Sequence, residues 1–190
     1  LPIQIDVGCN NDAIVSDPYY IGLKKKRPKS GDPYYMYLID NIITTAQEKY
    51  GRNVLIQFED FGNSNAFSLL KRWKDKATCF NDDIQGTASV ILGGLLASER
   101  MKNSKKVINH TYLFVGAGEA GCGIADLISE YTTGTSVFSW KGNIWLYDSQ
   151  GLVESSRTNL PEHKQAYAHD YGSCNSLQES IQNIKPSVLV

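Results

Sequence analysis

Apolar and polar residues in the first 80 positions follow two periods, one typical of strands and one typical of helices. The pattern predicts, in chain order, a strand at 3–7, a helix at 35–50, a strand at 54–59 and a helix at 65–76. In the last helix Phe67, Leu70 and Trp73 recur every three residues, which predicts one buried face. Residues 1–80 are therefore predicted to form an α/β unit.

After residue 80 the pattern changes to one long apolar helix followed by an alternation of strands and helices. The run TASVILGGLLASERMK predicts that helix, starting at Thr87. The stretch HTYLFVGAGEAGCGIADLISEY, at 110–131, predicts a strand, a glycine turn and a helix, and NIWLYDS, at 143–149, predicts a second strand. This order is typical of a Rossmann βαβ unit. Residues 81–190 are therefore predicted to contain a Rossmann-type dinucleotide-binding unit.

The glycine turn carries a candidate nucleotide site. Gly116, Gly118 and Gly121 match G-x-G-x-x-G, in which the glycines give a tight turn, room for a pyrophosphate, and close packing of the helix on the strand. Asp148 ends the next strand, where an acid can bind a ribose hydroxyl. It lies 30 residues beyond Gly118, so the segment 132–142 is predicted to be a surface insertion. A glycine-rich turn without a ligand remains the alternative.

Composition and charge exclude several classes of function. The 190 residues are 42% hydrophobic and 21% charged, with a net charge of −1, as in a globular protein with no overall attraction to nucleic acid or to an anionic membrane. The one basic cluster, at 24–27, is predicted to be a solvated loop. No apolar run approaches the ~20 residues of a membrane span. Four scattered cysteines predict no disulfide and a reducing compartment, the cytoplasm, with the mitochondrial matrix as the alternative.

Two adjacent pairs of acids, Glu59-Asp60 and Asp82-Asp83, raise a question of charge burial. Adjacent acids most often lie in exposed turns, but the first pair ends a predicted buried strand and the second immediately precedes the long apolar helix. Buried carboxylates need compensation, and a cation is the usual remedy. An all-oxygen set suits Mg²⁺ or Mn²⁺ rather than zinc. The pairs therefore predict a divalent metal site beside the nucleotide site.

Several stretches resemble the sequence blocks of the malic enzymes, in the same order as in that family. They are FNDDIQGTASVILGGLL, IQFEDFGNSNAF, LPIQIDVGCNN, DPYYIGLKKKR, YGRN and VGAGEAGCGIADLI, and together they extend over essentially the whole chain. The resemblance implies the oxidative decarboxylation of L-malate to pyruvate and CO₂, with reduction of NADP or NAD and a need for Mg²⁺ or Mn²⁺. It makes residues 1–80 the C-terminal part of the substrate and metal domain and 81–190 the first part of the NAD(P)-binding domain.

The resemblance also implies a role for individual side chains. The family's metal ligands correspond to Glu59, Asp60 and Asp83, and Asp82 corresponds to a group beside the reacting centre. The implied cofactor-binding residues are Asn63, Gly116, Gly118, Glu119, Ala120, Gly121, Asp148, Ser149 and Lys164.

Three of these residues bear on the choice between the nicotinamide cofactors. By the simple Rossmann rule, Asp148 favours NAD, because it can accept hydrogen bonds from a free ribose hydroxyl. NADP-preferring members of the family tend to have Ser directly after this acid and Lys 16 residues on, as Ser149 and Lys164 stand here. The resemblance therefore implies NADP, whereas a solvated Lys164 with no such role is the alternative.

Other family features have no counterpart in the sequence. The general-base lysine, the substrate-binding arginine and the tyrosine acid belong to blocks upstream of the one that resembles LPIQIDVG. The chain is therefore expected to be an internal segment of a longer homo-oligomeric enzyme, a dimer or tetramer, and to be inactive alone. The alternatives are an NAD-preferring malic enzyme, a metal-independent dehydrogenase, and a truncated malic-enzyme-like protein that only binds a partner.

Overall fold

A computed structural model describes residues 1–101, 105–133, 143–172, 174 and 176–190. The chain divides into two compact units, Leu1–Leu55 and Ile56–Val190. In the described part of the chain, no helix has the length and apolarity needed to cross a membrane. The four cysteines are free thiols, which confirms the prediction of no disulfide.

The first unit contains two helices, α1 (Asp12–Val15) and α2 (Pro33–Tyr50). The carboxylate of Asp32 accepts hydrogen bonds from the first backbone N–H groups of α2, and a proline at the first helical position suits this start. Tyr35, Ile39 and Ile43 are spaced by four and form the buried face. The predicted helix at 35–50 is confirmed, with a start two residues earlier.

The strand predicted at 3–7 is wrong, because these residues form no regular secondary structure. Asp6 explains the difference. Its carboxylate accepts hydrogen bonds from the backbone N–H of Gly8, at 2.9 Å, and of Leu23, at 2.7 Å. These bonds, the first of which is local, replace the ladder that a strand would need.

The second unit contains the remaining elements. The strands are β1 (Ile56–Phe58), β2 (Cys79–Asn81), β3 (Tyr112–Val115), β4 (Ile144–Asp148), β5 (Gly151–Leu152) and β6 (Val188–Leu189). The helices are α3 (Asn63–Trp73), α4 (Thr87–Ser98), α5 (Glu119–Thr133), α6 (Glu162–Gln165) and α7 (Leu177–Ile184). A single π turn, Asp82–Gly86, joins β2 to α4, and a 3₁₀ turn, Val107–Asn109, precedes β3.

The strands form two sheets. The parallel strands β1 and β2 pair over three residues. The larger sheet has the order β5-β4-β3-β6, in which β4 and β6 run parallel to β3 and lie on opposite sides of it, and β5 is antiparallel to β4. The chain therefore reverses its winding direction at β3, as in a doubly wound Rossmann sheet. Ligands of such sheets bind beyond the carboxyl ends of the strands at this reversal.

The main hydrophobic core of the second unit lies between the larger sheet and the helices α4 and α5. It includes Tyr112, Phe114, Cys122, Ile128, Ile144, Leu146 and Tyr167. The predicted α/β class, with a Rossmann-type second part, is confirmed by this arrangement. The division predicted at residues 80 and 81 stays a prediction.

Two helix predictions need correction. In α3 the buried apolar residues are Ala66, Leu69 and Trp73, whereas Phe67 and Leu70 are only half-buried. Spacings of three and four along the helix, rather than of three alone, follow its buried side. The helix α4 is not wholly buried despite its apolar sequence, because Val90 is 74% exposed. Most of the predicted insertion at 132–142 lies outside the described residues.

Candidate nucleotide and metal site

The glycine turn between β3 and α5 has a geometry that only glycine permits. Gly116 has a φ of +135°, and its N–H donates to the carbonyl of Tyr147 at 2.9 Å, which ties the turn to β4. A Cβ atom on Gly121 would lie 1.9 Å from the carbonyl oxygen of Gly116. The third glycine of the motif therefore lets the first turn of α5 lie directly on the loop.

Asn63, at the start of α3, reaches this turn. Its Oδ1 accepts a hydrogen bond from the backbone N–H of Glu119 at 2.7 Å, and so satisfies one of the unpaired donors at the N-terminus of α5. A Cβ on Gly118 would lie 3.2 Å from the same Oδ1. The structure thus brings Asn63, Gly118 and Glu119 together, and Ala120 follows as an exposed residue of the first helical turn. The positive end of the α5 dipole lies here, which suits an anion.

Asp148, at the end of β4, lies in a cluster of charges. Its Oδ2 accepts hydrogen bonds from Lys164 Nζ at 2.7 Å and from Arg157 at 3.1 Å, and its Oδ1 accepts one from the N–H of Gln150 at 2.9 Å. Burial alone would raise the pKa of Asp148, but the bonds from Arg157, Lys164 and Gln150 outweigh it and lower the pKa to about 2. The acid is therefore ionised at neutral pH, and the three charged groups sum to one positive charge.

Sequence reasoning missed Arg157 and found Lys164 only through the family pattern. The side chains of both cations are 15% exposed, so neither is freely solvated. Arg157 lies nine residues after Asp148 in a polar stretch and carries no motif of its own. Ser149, predicted to bind the cofactor, is an exposed residue of the turn between β4 and β5.

The first pair of acids follows β1. Asp60 has a φ of +59°, a left-handed conformation that Asp adopts more readily than most residues. The rings of Phe58 and Phe61 meet edge to face across this turn, with their centroids 5.3 Å apart. Phe58 is buried, whereas Glu59 and Asp60 are exposed. The turn therefore buries Phe58, half-buries Phe61 and leaves both acids at the surface. The carboxylate of Glu59 accepts a bond from the side chain of Gln57 at 2.9 Å.

The second pair of acids lies in the first turn of the π helix. Asn81 caps it, since its Oδ1 accepts the N–H of Ile84 at 2.9 Å. Gly86 accommodates Asp82, because a Cβ at position 86 would overlap the Asp82 carboxylate. π turns frequently occur at functional sites, where they change the direction of side chains. Both acids are half-buried, whereas Glu59 and Asp60 are exposed, so the burial predicted for the two pairs is partial for the second and wrong for the first.

The two pairs of acids meet at one contact. Asp83 Oδ2 accepts a hydrogen bond from the backbone N–H of Asp60 at 2.8 Å. Among the described residues, no group of three or more acidic, His or Cys side chains is close enough to hold a metal ion in this arrangement. The donor types do fit a hard divalent cation, because Glu59, Asp60 and Asp83 supply only carboxylate oxygens. The metal-ligand assignment therefore stays a prediction, with Asp60 and Asp83 already adjacent.

The metal candidate and the glycine turn belong to one packed region. A Cβ on Gly123 of α5 would lie 2.4 Å from the backbone oxygen of Ile84 in the π turn. Sequence analysis did not single out Gly123, although its position two residues after Gly121 on an apolar helix is a signal for close packing. Together with Asn63, this contact fixes the acids relative to the nucleotide turn.

Comparison with family models gives two matches. The family model described as the N-terminal domain of malic enzyme matches residues 1–74, and the model described as the NAD-binding domain of malic enzyme matches residues 84–190.

Curated relatives agree with these matches. NADP-dependent malic enzyme 2 of Arabidopsis thaliana is 46% identical over 194 residues, covering 100% of this chain and 32% of the relative. NADP-dependent malic enzyme of Mus musculus is 45% identical over 192 residues, covering 100% of this chain and 33% of the relative. The chain thus spans about a third of the length of the curated relatives it matches.

Solved structures show a similar fold. The malic enzyme of Entamoeba histolytica has a TM-score of 0.57 at 22% identity and covers 80% of this chain and 31% of its own. The NAD-dependent malic enzyme of Thermotoga maritima has a TM-score of 0.58 at 22% identity, with coverages of 75% and 37%. At this identity the likeness concerns the fold alone.

Proposed function

The chain belongs to the malic enzyme family, and from that premise we propose that it contributes the nucleotide-binding turn and the metal-binding acids of an enzyme that oxidatively decarboxylates L-malate to pyruvate and CO₂. The observation that carries the proposal is the contact of Asn63 with the first turn of α5, since Asn63 lies only three residues after Asp60. One side chain therefore links the predicted metal ligands to the predicted cofactor turn. A hydride transfer that depends on a bound cation requires this proximity.

The acids and the glycine turn have separate proposed roles. Glu59, Asp60 and Asp83 are the residues that would hold Mg²⁺ or Mn²⁺, which as a Lewis acid polarises substrate oxygens when bound. The N-terminus of α5 and the backbone near Gly116 and Gly118 bind the cofactor's pyrophosphate through N–H groups and the helix dipole.

NADP is the proposed cofactor. Lys164 and Arg157 hold two positive charges around the single negative charge of Asp148, so the cluster has a surplus of one cation. A 2′-phosphate added to this cluster would gain charge-assisted hydrogen bonds. The names of the relatives, NADP-dependent malic enzymes of Arabidopsis thaliana and Mus musculus, support the same choice.

NAD is the second candidate, and the structure contains one observation in its favour. Lys164 is already paired with Asp148 at 2.7 Å, so a phosphate would have to share or displace this bond. Asp148 stays ionised through its low pKa of about 2, and an ionised acid can accept a hydrogen bond from a free ribose hydroxyl.

Substitution of Lys164 separates the two candidates. In the complete polypeptide that contains these residues, Lys164→Gln should raise the Michaelis constant for NADP about tenfold or more and leave that for NAD nearly unchanged, because one charge-assisted bond is lost. Lys74→Gln, at an exposed position outside the charge cluster, is the matched control and should change neither constant. An equal response of both cofactors to Lys164→Gln would show that Lys164 does not recognise the phosphate.

A further inference from the structure

Lys164 belongs to an element that has little stability of its own. The helix α6 is a single turn of four residues. Helices this short are unstable in isolation because nucleation costs more than one turn regains. The position of the Lys164 ammonium is therefore set by the tertiary contacts that hold α6.

Tyr167 provides the most buried of these contacts. Its ring is 1% exposed and belongs to the main core, and its backbone N–H donates to the carbonyl of Lys164 at 3.0 Å. Its hydroxyl donates to Asp126 Oδ1, on α5, at 2.6 Å. A continuous path of one main-chain and one side-chain hydrogen bond thus joins Lys164 to the helix that begins at the glycine turn.

The neighbouring contacts of α6 differ in their exposure. His163 stacks on Phe67 of α3 with ring centroids 4.3 Å apart. Glu162 pairs with Lys71 at 2.7 Å, but both side chains are at least 70% exposed. Exposed ion pairs contribute little, whereas a short hydrogen bond from a buried tyrosine to a half-buried carboxylate is costly to lose. Burial accordingly raises the pKa of Asp126, the largest influence on that group, while the bond from Tyr167 opposes the rise.

We propose that the hydrogen bond from Tyr167 to Asp126 is a positioning contact for recognition of a 2′-phosphate: it holds Lys164 where the ammonium meets both Asp148 and the phosphate. The inference rests on the proposed role of Lys164 and goes beyond it, because neither Tyr167 nor Asp126 needs to touch the nucleotide. Loss of the contact lowers the affinity for nucleotides that carry the 2′-phosphate and leaves the affinity for those without it unchanged.

Calorimetry tests the proposal. It compares the binding of adenosine 2′,5′-bisphosphate and of adenosine 5′-monophosphate to the complete polypeptide, and these two probes differ only in the 2′-phosphate. Tyr167→Phe should reduce the ratio of the two affinities about threefold to tenfold, the worth of one hydrogen bond. Asp126→Leu removes the acceptor instead and should give the same reduction, so the test does not depend on the folding of a single variant. Asp126→Asn keeps an acceptor oxygen for the Tyr167 hydroxyl and should therefore keep the wild-type ratio of the two affinities.

Two further variants separate the possible outcomes. Lys71→Gln breaks the exposed contact of the same helix and should leave the ratio of the two affinities unchanged. Tyr167→Phe added to Lys164→Gln should lower that ratio no further than Lys164→Gln alone. If Lys164→Gln lowers the ratio but Tyr167→Phe and Asp126→Leu do not, or if they weaken both probes equally, the positioning role is refuted and the proposed role of Lys164 stands. If Lys164→Gln itself leaves the ratio unchanged, the proposed role of Lys164 and this inference are both refuted.

Discussion

The glycine turn and the two pairs of acids lie in contact within the second unit, yet they are built in different ways. The turn is defined by backbone atoms: the positive φ of Gly116, its bond to Tyr147, and the close approach of Gly121. The acids are defined by side chains on two separate segments, joined by the bond from the Asp60 N–H to Asp83. Backbone geometry exists as soon as the fold exists, whereas in the described part of the chain the carboxylates of Glu59, Asp60 and Asp83 are not gathered into one group. The glycine turn is therefore preorganised, whereas the predicted metal site would need its cation to bring the acids together.

The largest expected effect is on the backbone side of this comparison. Gly121→Ala should lower the free energy of unfolding by about 1 to 3 kcal/mol, because the new Cβ would lie 1.9 Å from a backbone oxygen that cannot rotate away. Urea denaturation of the complete polypeptide measures the change. Gly93→Ala is the matched control: it lies in α4, no described atom outside its own helical turns is within 4 Å of the added Cβ, and the variant should be neutral or slightly stabilising. Equal stability of the Gly121 variant and the wild type would contradict a preorganised turn.

The second prediction concerns the acids. Asp83→Asn should weaken Mn²⁺ binding about tenfold to 100-fold, because a predicted ligand loses its charge, and it should leave the urea midpoint nearly unchanged. Electron paramagnetic resonance of free Mn²⁺ gives the affinity directly. Asp75→Asn changes an exposed acid beyond α3 and should have no effect. If both variants bind Mn²⁺ as tightly as the wild type, the metal assignment is wrong.

The smallest expected effect concerns the residue that joins the two regions. Asn63→Ala removes the oxygen that accepts the Glu119 N–H at 2.7 Å and should cost about 1 kcal/mol of unfolding free energy, as for a lost helix cap. Asn63→Asp keeps an acceptor and should retain the stability while weakening nucleotide binding, because it adds a negative charge beside the predicted pyrophosphate site. Denaturation and calorimetry on the same samples distinguish the two effects. A stability loss in the Asp variant as large as in the Ala variant would show that the bond contributes nothing.

Prediction from sequence succeeded best where a pattern is local. The glycine turn follows from Gly116, Gly118 and Gly121 because the motif itself is a short local spacing, and Gly121 packs on Gly116 only five residues away. The helix at 35–50 and the strand that ends at Asp148 follow equally from periodicity. The strand at 3–7 failed because Asp6 binds the N–H of Leu23, a residue 17 positions away that a local pattern does not represent.

The sequence by itself determined the α/β class, the glycine turn and the family to which the chain belongs, because these depend on residue types at fixed spacings. Only the tertiary structure decided which distant residues meet: Asn63 with Glu119, Arg157 and Lys164 with Asp148, and Tyr167 with Asp126. The partners in these pairs are between 9 and 56 positions apart. Apart from the 16-residue spacing of Asp148 and Lys164, which came from the family resemblance, no spacing rule covers these separations, because the path of the chain through the sheet and its helices sets the distance between two side chains.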